Sequence, residues 1–266
     1  MQQQRRQVLA GIASAIGCGL FDASALAAST TPKLGLIFPP ANRGVPEEGL
    51  AMYGSRIEYL AEGLGLETMT PEGYEAVIDR IPAVAKRLVA RGAQAVLLTG
   101  TSLTFFKGEA FNQKLTQTMR EATGGLPVKT MSTAVIEGLK KVGAKRVVAP
   151  TAYNEEVNAR LRAFLIEHKF DVVSVQGLGI EAVDDINRVT QPMLLDFCTR
   201  VSKGAAGADA ILVSCGGLRT LEILAPLEAA TGLPAVTSMP HTLLAGARLL
   251  GLDPRVAGFG RLIASG

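Results

Sequence analysis

From residue 33 onward, short apolar runs rich in β-branched residues alternate with amphipathic stretches of helical period, which is the mark of parallel βαβ construction. Leu34 to Phe38, Ala95 to Thr99, Val128 to Met131, Arg146 to Ala149, Asp171 to Val175, Ala210 to Ser214 and Ala235 to Ser238 read as strands. Helices fall between them. Ile81, Val84, Leu88 and Val89 share one face closed by Gly92, and Val157, Leu161, Phe164 and Leu165 share another.

The pattern runs through twice. A strand followed by Thr99-Gly100-Thr101-Ser102 recurs as a strand followed by Ser214-Cys215-Gly216-Gly217. Further on, Thr130-Met131-Ser132-Thr133 and Val236-Thr237-Ser238-Met239 each follow a Gly-Leu-Pro turn, at Gly125 to Pro127 and Gly232 to Pro234. The expectation is an α/β protein of two pseudo-symmetric lobes, residues 30–135 and 136–266, each a mainly parallel sheet flanked by helices. Ligands of open α/β sheets sit beyond the carboxyl ends of the strands, so the Thr101 and Cys215 turns should face one cleft.

The first 29 residues are a different kind of text. Arg5 and Arg6 precede an apolar stretch from Val8 to Leu20, which ends in Ala25-Leu26-Ala27, a pattern suited to signal peptidase. Gln4-Arg5-Arg6-Gln7-Val8-Leu9 resembles a twin-arginine signal, so the folded protein is expected in the periplasm, with the cytoplasm as the alternative. The apolar stretch, about 13 residues, is shorter than the roughly 20 that span a bilayer, and no stable membrane insertion is expected after cleavage. Cys18 falls inside this segment, leaving Cys198 and Cys215 to the folded part.

Composition narrows the partner. Net charge is +3, and the chain has neither a basic run nor an aromatic cluster to suit nucleic acid. Its two histidines, His168 and His241, have no neighbours at metal-ligand spacing, and no phosphate-cradling glycine motif follows a strand. The expected partner is a small molecule, bound by a monomer without metal or cofactor.

Cys215 ends a strand and opens a Gly-Gly turn into a helix, which brings its sulfur near backbone amides. The amides of Cys215 and Gly216 suit a carboxylate or a developing oxyanion. A buried structural thiol is the competing reading. Cys198 shares an apolar helical face with Leu194 and Val201 and reads as core. Thr101 and Ser102 offer hydroxyls at a strand-to-helix turn, and Tyr153 offers a phenol from the opposite wall; turn chemistry and capping compete with binding for all three. His241 opens a helix after Pro240 and is a candidate second base, whereas His168 lies near the end of an amphipathic helix.

Gly100-Thr101-Ser102-Leu103, Pro71-Glu72-Gly73-Tyr74, Met131 to Val135, Thr151-Ala152-Tyr153 and Ser214-Cys215-Gly216-Gly217 together resemble the arylmalonate decarboxylase family, over nearly all of the chain after the leader. That family is grouped with aspartate/glutamate racemases and maleate cis-trans isomerases, two-lobed α/β enzymes that work without cofactors through cleft cysteines. The resemblance implies decarboxylation of a disubstituted, arylmalonate-like dicarboxylate. Cys215 is then the proton donor, and Thr101, Ser102 and Tyr153, with the amides of Cys215 and Gly216, form a dioxyanion hole. Leu66, Met69, Tyr74, Val183 and Ile186 match the hydrophobic wall against the departing carboxylate, and Pro39, Pro40 and Gly217 match the seat of the aryl substituent. Met69 and Ile186 differ from the family's usual choices, which leaves the substrate open.

Racemases and most isomerases of this group place one cysteine in each lobe, whereas the counterpart of Cys215 here is Gly100. A decarboxylase needs no opposing base, because CO2 itself leaves. The rival readings are a cysteine-dependent racemase or isomerase with His241 as second base, and an exported solute-binding protein, which is also two-lobed and α/β.

Overall fold

The alternation in the sequence becomes two four-stranded parallel sheets of identical strand order. The computed structural model describes residues 31–41 and 44–266, so the expected leader lies outside the described residues. In chain order the first half contains β1 (Lys33–Phe38), α1 (Glu47–Tyr53), β2 (Glu58–Gly63), α2 (Pro71–Ile78), α3 (Ile81–Ala90), β3 (Ala95–Leu98), α4 (Thr101–Phe105), α5 (Glu109–Ala122), β4 (Val128–Thr130) and α6 (Met131–Lys141). The second contains β5 (Arg146–Thr151), α7 (Glu155–Glu167), β6 (Asp171–Gly177), α8 (Gln191–Gly204), β7 (Ala210–Val213), α9 (Leu221–Thr231), β8 (Ala235–Thr237), α10 (Ser238–Leu249) and α11 (Arg261–Ser265).

The strands run β2-β1-β3-β4 in one sheet and β6-β5-β7-β8 in the other, all parallel. Every residue of β3 and β7 is buried, as expected of strands covered by helices on both faces. In each sheet the strand order reverses between its first and third strands in chain order. A crevice opens there beyond the carboxyl ends, at β1/β3 in one sheet and β5/β7 in the other. These are the strand ends that carry Pro39, Gly100, Tyr153 and Cys215.

Side-chain caps start several helices where the sequence has a hydroxyl or amide. Thr130 accepts from the Thr133 amide, Asn154 from Val157 and Thr190 from Met193. The Asn154 cap matters for the site, because it turns the chain into α7 immediately after Tyr153.

One strand has no counterpart in the sequence reading. In β2 only Tyr59 and Leu60 are buried, and Glu58 is exposed, so this edge strand lacks the apolar run that marks the others. The boundary expected after residue 135 falls inside α6. Helices α6 and α10 pack on each other between the sheets, with α6 touching β7 and β8 and α10 touching β3 and β4. Gly246 of α10 approaches so closely that a Cβ there would lie 2.6 Å from Leu34 Cδ2 and 2.9 Å from Leu97 Cδ1. Residues 31–266 accordingly form one compact unit. Among the described residues, no helix is long and apolar enough to cross a membrane.

Candidate active site

The ends of β1 and β3 face the end of β7 across a cavity. It is lined by Phe38, Pro39, Pro40, Leu66, Met69, Thr99, Gly100, Thr101, Ser102, Val183, Ile186, Cys215, Gly216 and Gly217. Eleven residues proposed from sequence therefore meet in one place. Tyr74 and Tyr153 do not line the cavity; both are buried close to its polar end.

The apolar wall comes from two loops, one per half. The Met69 amide donates to Glu181 O (2.7 Å) and the Val183 amide to Glu67 O (3.0 Å), closing an antiparallel bridge between Thr68 and Ala182. This bridge sets Leu66 and Met69 beside Val183 and Ile186. The Leu66 amide also donates to Pro39 O (2.7 Å), which ties the wall to the turn after β1.

The polar end is a cluster of hydroxyls. Thr101 Oγ1 lies 2.7 Å from Ser238 Oγ and donates to Met131 Sδ at 3.1 Å. The Cys215 amide donates to Ser238 Oγ at 3.1 Å, so the N–H that the sequence reading offered to a carboxylate is engaged by a serine that reading did not single out. Tyr153 Oη lies 3.2 Å from Ser214 Oγ. Burial raises the pKa of Tyr153 well above the usual phenol value, aided by the adjacent Cys215, while the Ser214 and Thr101 hydroxyls pull the other way. Tyr74 is likewise raised, first by burial; the Ser102 hydroxyl opposes the shift without closing a well-formed hydrogen bond to it. Both phenols are thus neutral O–H groups at physiological pH.

Two details of the Cys215 turn differ from expectation. Residues 215–217 form a turn, and no helix follows until Leu221, so the thiol does not sit on a helix N-terminus. The start of α9 is occupied instead by Glu48 of α1, whose Oε1 accepts from the amides of Thr220 (2.7 Å) and Leu221 (2.8 Å). Gly216 is needed for contact with the first half, since a Cβ there would lie 2.9 Å from Met131 Sδ and 3.5 Å from Gly100 N.

Among the described residues lining the cavity, none is an aspartate, glutamate, lysine, arginine or histidine. His241, the candidate second base, is not in the lining. Its Nδ1 accepts from the Thr237 amide at 2.9 Å, and burial lowers its pKa to about 4. It is a neutral core imidazole, bonded to the residue before its own helix. Cys198 is fully buried in α8, and burial pushes its thiol up to about 12, as a core cysteine requires. His168 pairs with Glu109 at 3.1 Å, with neither residue in the cavity lining. No group of three potential metal ligands occurs among the described residues.

A family model described as arylmalonate decarboxylase matches residues 34–263. Arylmalonate decarboxylase of Bordetella bronchiseptica is 45% identical over 235 residues, covering 88% of this chain and 97% of that protein. The fold superposes with a TM-score of 0.85 on a liganded double mutant of arylmalonate decarboxylase, at 44% identity, covering 89% of this chain and all (100%) of the other. It also matches maleate isomerase from Pseudomonas putida S16, with a TM-score of 0.81 at 20% identity over 88% of this chain and 98% of that one.

Proposed function

The chain belongs to the arylmalonate decarboxylase family and is a carboxy-lyase, and on that footing we propose that it decarboxylates a disubstituted malonate through an enediolate protonated by Cys215. The observation that carries this reading is the division of the cavity. Hydroxyl donors gather at one end, apolar side chains form the opposite wall, and no lining residue is an aspartate, glutamate, lysine, arginine or histidine.

One substrate carboxylate accepts hydrogen bonds from Thr101, Ser102 and the Cys215 and Gly216 amides, the Cys215 amide being shared with Ser238, while Tyr153, buried behind the lining, supports this end. The other carboxylate lies against Leu66, Met69, Val183 and Ile186, where its charge is unsolvated; Tyr74, expected in this wall, stays behind the lining. Cleavage of the bond from the α-carbon to that carboxylate releases neutral CO2 and removes the buried charge. The bonding pair passes to the retained carboxylate as an enediolate, whose two oxygens the donors stabilise. Cys215 then transfers its thiol proton to the α-carbon, and the thiolate regains a proton from water. Pro39, Pro40 and Gly217 seat the larger substituent.

The absence of a second acid or base in the described lining separates this chemistry from racemisation, which needs a proton acceptor on each face. Supplying a panel of disubstituted malonates in deuterated water tests the reading. CO2 release with one deuterium at the product α-carbon is expected. The reading fails if no malonate is consumed while a glutamate, a hydantoin or maleate is. Export to the periplasm remains part of the proposal, supported by Arg5, Arg6 and Ala25-Leu26-Ala27; fractionation that leaves the whole pool cytoplasmic would overturn it.

A further inference from the structure

Ser238 is the first residue of α10 and is fully buried, yet its hydroxyl does not cap that helix, whose N-cap Thr237 makes no side-chain capping bond. The hydroxyl points instead across the two halves. Ser238 Oγ accepts the Cys215 amide at 3.1 Å and lies 2.7 Å from Thr101 Oγ1. Its counterpart in the repeat is Met131, first residue of α6, whose Sδ lies 3.1 Å from the same Thr101 oxygen. The two crossing helices therefore meet on one hydroxyl with unequal partners, an alcohol and a thioether.

We propose that Ser238 is a positioning residue that orients the Thr101 hydroxyl toward the substrate carboxylate; the inference rests on the reading of Thr101 as an oxyanion donor. A serine oxygen that accepts from an amide has its own hydrogen to give, and Thr101 Oγ1 is at hand. Donation in that sense leaves the Thr101 hydrogen facing Met131 Sδ, a weak acceptor. A carboxylate oxygen displaces such a partner at little cost, and the chain from the Cys215 amide through Ser238 to Thr101 polarises each donor in turn. The same serine fixes the backbone of the proton donor and the hydroxyl of the oxyanion hole relative to each other.

A double-mutant cycle tests this. Ser238→Ala should lower kcat/KM by about 10- to 100-fold, mostly in kcat. In a Thr101→Val background the same change should add less than about twofold, while in a Thr101→Ser background its full cost should return. A penalty independent of residue 101, or no penalty in the parent, overturns the proposal. If the alanine variant does not fold by thermal melting, Ser238→Cys, nearly the same shape but a poor hydrogen-bonding group, takes its place. If the parent turns over no malonate, the functional reading fails separately, and the cycle is read on the phenylmalonate dissociation constant by calorimetry.

Discussion

The turn after β3 and the turn after β7 stand at equivalent places in two sheets of the same strand order, and both close the one cavity. After β3, Gly100 adopts φ +91° and the chain enters α4 at once, so the hydroxyls of Thr101 and Ser102 sit on a helix start. A Cβ at Gly100 would lie 2.3 Å from Pro39 Cγ, so this position has no room for a reactive side chain unless the proline ring moves. After β7 the chain spends Cys215 to Thr220 on an open turn, and the acid of Glu48 holds the helix that follows. Repetition preserved the backbone scaffold on both sides. The chemistry diverged at the first residues beyond the strand, with donors on one side and the proton source on the other.

The sharpest way to break that contrast is Cys215→Ala. Turnover measured by CO2 release should fall by at least about 100-fold, as loss of a general acid does, while the melting temperature changes little. An active alanine variant would remove the distinction between the two turns. Next in size is the acid response of His241, the candidate second base that the lining leaves out. The unfolded imidazole titrates near 6.5 and the folded one near 4, so its contribution to stability is complete above pH 6.5 and is lost as pH falls toward 4. The loss is roughly 3 kcal/mol. Urea unfolding of His241→Asn across this range should show a shallower decline with catalysis retained; loss of turnover at neutral pH would instead bring the histidine into the chemistry.

Gly100→Ala sharpens the comparison from the other side. The positive φ alone should cost about 1–2 kcal/mol, and the Cβ contact with Pro39 adds to it. Thermal melting should then record a fall of at least about 2–8 °C, without loss of the acid step. An unchanged melting temperature would mean that the β3 turn tolerates a side chain as readily as the β7 turn does. The smallest effect is expected from Cys198→Ala, which removes only a core sulfur: about 1 kcal/mol in denaturant unfolding and a parental rate of CO2 release. A slowed variant would show that the two cysteines differ less than their settings imply.

The strands that carry the site were legible because a strand covered on both faces must be apolar throughout, as Ala95 to Leu98 and Ala210 to Val213 are. The edge strand β2 was not, because half of it meets solvent and its apolar signal stops after two residues. Eleven site residues could be gathered from the two turns and the family resemblance. Ser238 and Met131 escaped notice as partners of Thr101, since a serine or methionine opening a helix has no local signature of what lies across a sheet. His241 shows the converse. The sequence offers a histidine near a turn, and only its burial and its bond to the Thr237 amide make it a neutral core residue.

By itself, the chain's text determined a repeated parallel α/β scaffold and a single cysteine at one of two matched turns, because strand burial, helical period and turn glycines are local or short-range properties. The crossing of α6 and α10, the joined loops of the apolar wall and the Ser238 link between Thr101 and Cys215 were decided by tertiary structure alone. Each depends on contacts between residues 23 to 137 positions apart, whose partners no local pattern names.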